Sequence, residues 1–229
     1  PGLKENQPLR NINRVITMKK YNKIKKILFT AICGGLFIAC QQPHNVNDPL
    51  QVLCLGNSIT KHPIKEDIEW FSDWGMAASN IEYDYCHQLE KMLCKYHPNS
   101  TVTPLNIASW ERNLSCDIDS LIGSYCKNKD IITRLVKYCQ SKAKRVIITG
   151  CFWKNDSKER SIIHAARTND LTYVPLYWID NLYNVRPQIG DTLYDINKKP
   201  YVITQDFIIT HPNDEGMQMI AETIWGVIR

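Results

Sequence analysis

From Leu50 to the end of the 229-residue chain, short apolar runs alternate with amphipathic stretches, and this alternation restricts the fold more than any other feature. Gln51-Val52-Leu53-Cys54-Leu55 reads as a first strand over about 50–55. Between Tyr83 and Tyr96, Cys86, Leu89 and Leu93 recur at helical spacing, with Glu90, Lys91 and Lys95 between them, so this segment predicts an amphipathic helix. Pro98-Asn99-Ser100 ends it, and Thr101 to Ala108 reads as a second strand. Leu114 to Tyr125 can form a helix with Ile118, Leu121 and Ile122 inward. Arg145 to Trp153 reads as a buried strand, Ser157 to Thr168 as a helix, and Leu171 to Leu176 as a strand. A hairpin around Asn197-Lys198-Lys199-Pro200 precedes a last helix over Gln218 to Val227. Helices alternating with short apolar strands imply α/β architecture with a parallel sheet covered on both faces. There are no internal repeats and no low-complexity tracts.

The amino-terminal quarter has a different character. Residues 1–17 show no structural pattern. A basic stretch from Met18 to Lys26 then leads into the apolar run Ile27 to Ala39, followed by Cys40. That order, with an apolar core shorter than the about 20 residues of a spanning helix, is the pattern of a secretory signal. Phe37-Ile38-Ala39-Cys40 resembles a bacterial lipobox, with Phe37 where leucine is usual. The resemblance implies cleavage before Cys40 and lipid on its sulfur, and hence a protein tethered in the bacterial cell envelope. A simple membrane anchor or an uncleaved leader is the alternative. The expected organisation is an extension (1–17), a lipoprotein signal (18–39), a lipidated polar tether (40–48) and one domain (49–229). Residues 1–39 carry eight of the 28 Lys/Arg and one of the 23 acidic residues, so the remainder has a net charge of −2. The basic balance belongs to the leader and gives no argument for nucleic acid.

Nine cysteines are present. Cys33 lies in the leader, Cys40 is the lipidation candidate, and Cys54, Cys86, Cys94, Cys116, Cys126, Cys139 and Cys151 remain. Their odd number, without a CxxC pair or a Cys/His cluster, argues against a full disulfide framework and against a zinc site. Walker and GxGxxG patterns are missing too, so no cofactor is expected.

Gly56-Asn57-Ser58-Ile59-Thr60 follows the first strand directly, and its tight turn presents one serine hydroxyl at a strand end. Near the other end, His211-Pro212-Asn213-Asp214-Glu215-Gly216-Met217 precedes the last helix. Together these segments resemble the SGNH/GDSL hydrolases, esterases and lipases with a flavodoxin-like three-layer α/β/α fold. The resemblance rests on Leu53 to Thr60 and Phe207 to Met217. It implies Ser58 as nucleophile, His211 as base and the Ser58 backbone N–H as an oxyanion donor. In open α/β sheets reactive groups gather at the carboxyl ends of strands, which would bring both residues to one rim.

The chain departs from that family in three places. Its second oxyanion donor is typically a glycine five residues after an Asn; counting from Asn106 lands on Glu111. Its orienting acid usually lies three residues before the histidine, where this chain has Ile208; Asp206 or a backbone carbonyl would have to serve. Its third donor is an Asn in a block after the central strand. Here Asp130-Ile131-Ile132 starts like that strand but passes at once into the helical Leu135 to Cys139, as though about two dozen residues were deleted. Alternatively Val146 to Trp153 takes over the central position, with Asn155 as the displaced Asn. Asn57, Trp70, Trp74 and Trp110 are candidates to line an acyl or sugar pocket, though the tryptophans could equally cap the sheet. Two readings follow: a serine esterase acting on small esters or acylated carbohydrates through an acyl-serine, or a catalytically impaired relative with a binding role.

Overall fold

The computed structural model describes residues 37–39, 48–109 and 131–229. Its architecture is mixed α/β, built from two small parallel strand pairs packed against helices. Strands β2 (Gln51–Gly56) and β3 (Thr101–Asn106) run parallel, in register from Gln51 opposite Thr101 to Gly56 opposite Asn106. Strands β4 (Val146–Thr149) and β5 (Thr172–Val174) form the second parallel pair. Between them lies β1 (Phe37–Ala39), antiparallel to both β2 and β4, giving the order β3-β2-β1-β4-β5.

This differs from the continuous parallel sheet that the alternation predicts. The physical reason lies between β3 and β4. From Ile131 onward the chain is helical, as α2 (Ile131–Lys142), so Ile131 and Ile132 do not start a strand. The alternative, in which Val146 to Trp153 moves into the central position, does not occur either: β4 pairs with β1 and β5, not with β2. The centre is filled instead by three residues of the expected leader. The predicted helix over Leu114 to Tyr125 lies outside the described residues.

Alternation along the strands divides the apolar side chains between two clusters, because successive residues of a strand face opposite ways. Val52, Cys54 and Ile147 join Leu89 and Leu93 of α1 (Tyr85–Tyr96) and Ile220 and Ile224 of α5 (Asp214–Ile228). Leu55, Val146 and Ile148 join Leu135, Val136 and Cys139 of α2 and Ile162, Ala165 and Ala166 of α3 (Asp156–Thr168). Side chains close the helix starts: the Asp84 carboxylate accepts the His87 N–H at 2.8 Å, and Asn213 Oδ1 accepts the Gly216 N–H at 3.0 Å. The predicted hairpin is present as β6 (Thr192–Tyr194) and β7 (Pro200–Val202), its turn held by the Asp195 carboxylate accepting from the N–H groups of Asn197 and Lys199. A four-residue helix, α4 (Asp206–Ile209), leads to the last helix. Among the described residues no helix is long and apolar enough to cross a membrane. Cys54, Cys86 and Cys94 are free thiols, and Cys139 and Cys151 are buried in the core; Cys116 and Cys126 lie outside the described residues.

Gly56 marks where β2 must approach the loop that follows it. A Cβ there would sit 1.8 Å from Thr60 Oγ1, a buried hydroxyl that hydrogen-bonds Tyr85 Oη at 2.8 Å. Gly56→Ala must displace Thr60 and strand the buried tyrosine hydroxyl. The expected loss is about 1–3 kcal/mol, read as a lower urea midpoint with an unchanged slope. An unchanged midpoint would show that Thr60 rotates away at no cost.

Candidate active site

Beyond Gly56 the chain curls immediately, with Thr60 and Lys61 N–H both donating to Asn57 O at 3.0 and 3.1 Å. Asn57 Oδ1 accepts the Ile59 N–H at 3.2 Å, an Asx-type turn that fixes the bend on its inner side. The Ser58 carbonyl accepts from Met76 N–H at 2.8 Å, while the Ser58 N–H has no partner among the described residues. The serine is thus held by its backbone, and its N–H remains available.

The histidine segment is tied down on both sides. Asn213 N–H donates to Val185 O at 3.0 Å and Asn213 Nδ2 to Asn184 O at 2.8 Å. The Asp214 carboxylate accepts from both the N–H and the hydroxyl of Ser79, each at 2.6 Å. These contacts fix where α5 begins, and with it the preceding ring. His211 Nε2 lies 2.7 Å from Ser58 Oγ.

The other ring nitrogen sets the proton arrangement. His211 Nδ1 is 3.0 Å from Phe207 O and 3.1 Å from Thr210 Oγ1, whose own proton goes to Phe207 O at 2.8 Å. Both neighbours therefore present lone pairs to Nδ1, so the proton sits on Nδ1 and Nε2 is left to accept from the serine hydroxyl. Trp153 meets the imidazole edge-on, with centroids 5.2 Å apart at 90°, and Phe207 packs on it at 5.2 Å. The Trp153 indole N–H donates to Thr210 O at 2.7 Å, which locks that wall. Only 2 % of His211 is exposed, and burial lowers its pKa to about 4; the hydrogen bond to the Phe207 carbonyl opposes this but does not offset it.

Ser58 opens into a cleft of about 760 Å³ lined by Asn57, His62, Lys65, Asn106, Ser109 and Phe207 among others. The Asn106 side chain is fixed in place, one of its two amide N–H groups donating to Lys61 O and its Oδ1 accepting the Ala108 N–H.

The remaining candidates fall in different places. Asp206 is exposed at the start of α4 and is not a partner of the His211 ring, so the backbone carbonyl of Phe207 takes the orienting role. Asn155 is exposed, does not line the cleft and caps α3 through Lys158 N–H at 3.0 Å. Trp70 and Trp74 do not line the cleft. Both are buried, packed edge-to-face at 6.4 Å, and donate their indole N–H groups to His62 O and Ala78 O, so they hold the loop after Ser58 from inside. Asn57 does line it. Trp110, Glu111 and Cys40 lie outside the described residues. Sequence reasoning did not single out Trp153, Thr210 or His62, the last of which lines the cleft. Only its position, four residues after Ser58 in one loop, could have suggested this. No group of three or more His, Cys, Asp or Glu is placed to hold a metal ion among the described residues.

No protein-family model matches the chain, and neither does any curated protein or solved structure. What the site does must be read from its own geometry.

The buried imidazole links stability to pH. Between the ordinary value of 6.5 and about 4, the unfolded chain binds a proton at His211 that the folded chain does not. Stability therefore falls with pH across this window, by up to roughly 3 kcal/mol from this group. Urea unfolding at pH 7 and pH 4 should show a steeper loss for the natural chain than for His211→Gln, and the His211 ring should titrate by NMR near pH 4. A titration near 6.5 would remove the basis for this expectation.

Proposed function

We propose that the chain is a serine hydrolase of the SGNH type, cleaving carboxylic esters without a cofactor. On this reading its fold is a modified flavodoxin-like three-layer arrangement with a disrupted centre. The observation that carries the reading is the 2.7 Å contact between Ser58 Oγ and His211 Nε2, made by residues 153 positions apart. A nucleophile, a base with its lone pair aimed at it, and a third group orienting the base form the constellation that nucleophilic catalysis requires.

The steps follow from the proton arrangement. As Ser58 Oγ attacks the ester carbonyl, its proton passes to His211 Nε2, and the Nδ1–H stays on Phe207 O. The carbonyl oxygen gains negative charge opposite the Ser58 N–H. Collapse expels the alcohol, which takes the proton from Nε2, and leaves an acyl ester on Ser58. Water then repeats the sequence, giving its proton to Nε2, and releases the carboxylic acid with Ser58 restored. A carbonyl orients the imidazolium but neutralises it less than a carboxylate does, and a base of low pKa gives a weak driving force at neutral pH. The donor identified for the oxyanion is the Ser58 backbone N–H, and each such donor is typically worth ~10²–10³ in rate. Turnover should accordingly be slow.

The cleft's polar lining of Asn57, His62, Lys65 and Asn106 suits a hydroxylated leaving group, such as an acylated carbohydrate, better than a long acyl chain. Lipidation at Cys40, with anchoring in a bacterial envelope, belongs to the same reading. A second reading, a binding protein with its chemistry impaired, is favoured by the low pKa of His211 and by the lack of a carboxylate on its ring.

Purified protein with p-nitrophenyl acetate decides between them. Hydrolysis is expected with an acyl group trapped on Ser58, lowered at least ~10³-fold in Ser58→Ala and in His211→Gln. kcat/KM should decline on the acid side with a midpoint near pH 4, where the free imidazole protonates. A sample that unfolds cooperatively yet gives no turnover above Ser58→Ala would favour the binding reading.

A further inference from the structure

The strand order holds a feature that the hydrolase reading does not use. β2 and β4 are parallel to one another but share no pairing; each turns one edge toward β1. These are interior edges: Val52, Cys54 and Leu55 of β2 and all four residues of β4 are buried. Backbone N–H and C=O groups on a buried edge must be paired with something, since water does not reach them. The partner is Phe37–Ala39, with Ile38 opposite Cys54 on one side and Ile147 on the other. Its direction follows from the chain. Only residues 40–50 separate it from β2, which suits an antiparallel return, whereas a parallel neighbour needs a crossover of a dozen residues or more.

We propose that the space between β2 and β4 is a strand-acceptor site whose occupant is this chain's own Phe37–Ala39. The three residues just before Cys40 then serve as the missing central strand, and cutting the chain before Cys40 opens the site. The same segment cannot be both discarded leader and resident strand. Processing at that bond would convert a closed sheet into one with two facing unpaired edges, able to take up an extended peptide by strand addition. This stands independently of whether Ser58 is catalytic.

Cross-linking in the full chain tests the occupant. Opposed residues of an antiparallel pair bring Cβ atoms about 4.5–5.5 Å apart, near the spacing a disulfide requires, and Cys54 is a free thiol. Under mild oxidation Ile38→Cys should couple to Cys54 in high yield by peptide mass mapping, and Ala39→Cys, which opposes Leu53, at least tenfold less. Equal coupling from both positions, or none from Ile38→Cys in a folded sample, overturns the proposal. Hydrogen exchange on the unsubstituted full chain guards against a variant that fails to fold. Amides of 37–39 should be protected like those of Leu53 to Leu55, and fast exchange at 37–39 beside a protected β2 overturns the proposal equally. In protein cut before Cys40, amides of Leu53 to Leu55 and Val146 to Ile148 should exchange at least tenfold faster. Loss of cooperative folding in that form supports the same conclusion, and unchanged protection refutes it.

Discussion

One hydrogen bond, from the Ser58 hydroxyl to the His211 imidazole, closes a loop of 153 residues and converts two unremarkable turns into a site. Neither partner positions itself. Ser58 is set by the tight curl after Gly56 and by the Met76 N–H on its carbonyl, and that loop is held from inside by buried Trp70 and Trp74. His211 is set by the start of α5, where Asp214 grips Ser79 and Asn213 grips residues 184 and 185. Because Ser79 lies in the same connection as Met76, the clamp on Asp214 ties the His211 segment to the segment that holds Ser58. The separation of donor and acceptor is therefore a property of the connected loops, not of two side chains that happen to meet.

Burial and orientation pull against each other at His211. Packing His211 between Trp153 and Phe207 fixes its plane, and the Phe207 carbonyl fixes its tautomer. The same packing removes water from the ring and disfavours its charged form, and no carboxylate compensates. A contrasting pair lies on α1, where the buried Asp84 carboxylate bonds the His87 ring and raises its pKa. One chain thus contains a histidine whose charge is supported and one whose charge is opposed, and the second faces the Ser58 hydroxyl.

The centre of the sheet is completed from the amino-terminal side. Backbone polar groups on the inner edges of β2 and β4 require partners, and three residues arriving from the amino-terminal side supply them in the antiparallel direction that suits a short connection. The clusters on the two sides of the strands are assembled around this arrangement, with α1 and α5 on one and α2 and α3 on the other.

Much of this was legible in the sequence. The strand ending at Gly56, the helix from Tyr85, the hairpin and the final helix all follow from local periodicity and turn residues, because those signals are set within a few residues. Ser58 and His211 were legible as turn residues at strand and helix ends. What local pattern could not supply was everything that depends on neighbours distant in the chain. Ile131 and Ile132 are β-prone residues placed in a helix, since the helical spacing that continues through Leu135, Val136 and Cys139 buries one face of α2 against the strands. Asp206 had the right chemistry, but the first turn of α4 leaves it exposed, so a carbonyl took its role. Trp70 and Trp74 had the composition of a binding surface and went instead to the core, where apolar area is removed from water and each indole N–H finds a carbonyl. The sequence by itself determined which segments could be strands, helices and turns; tertiary packing decided which of them meet, because burial and hydrogen-bond satisfaction are settled across the whole molecule.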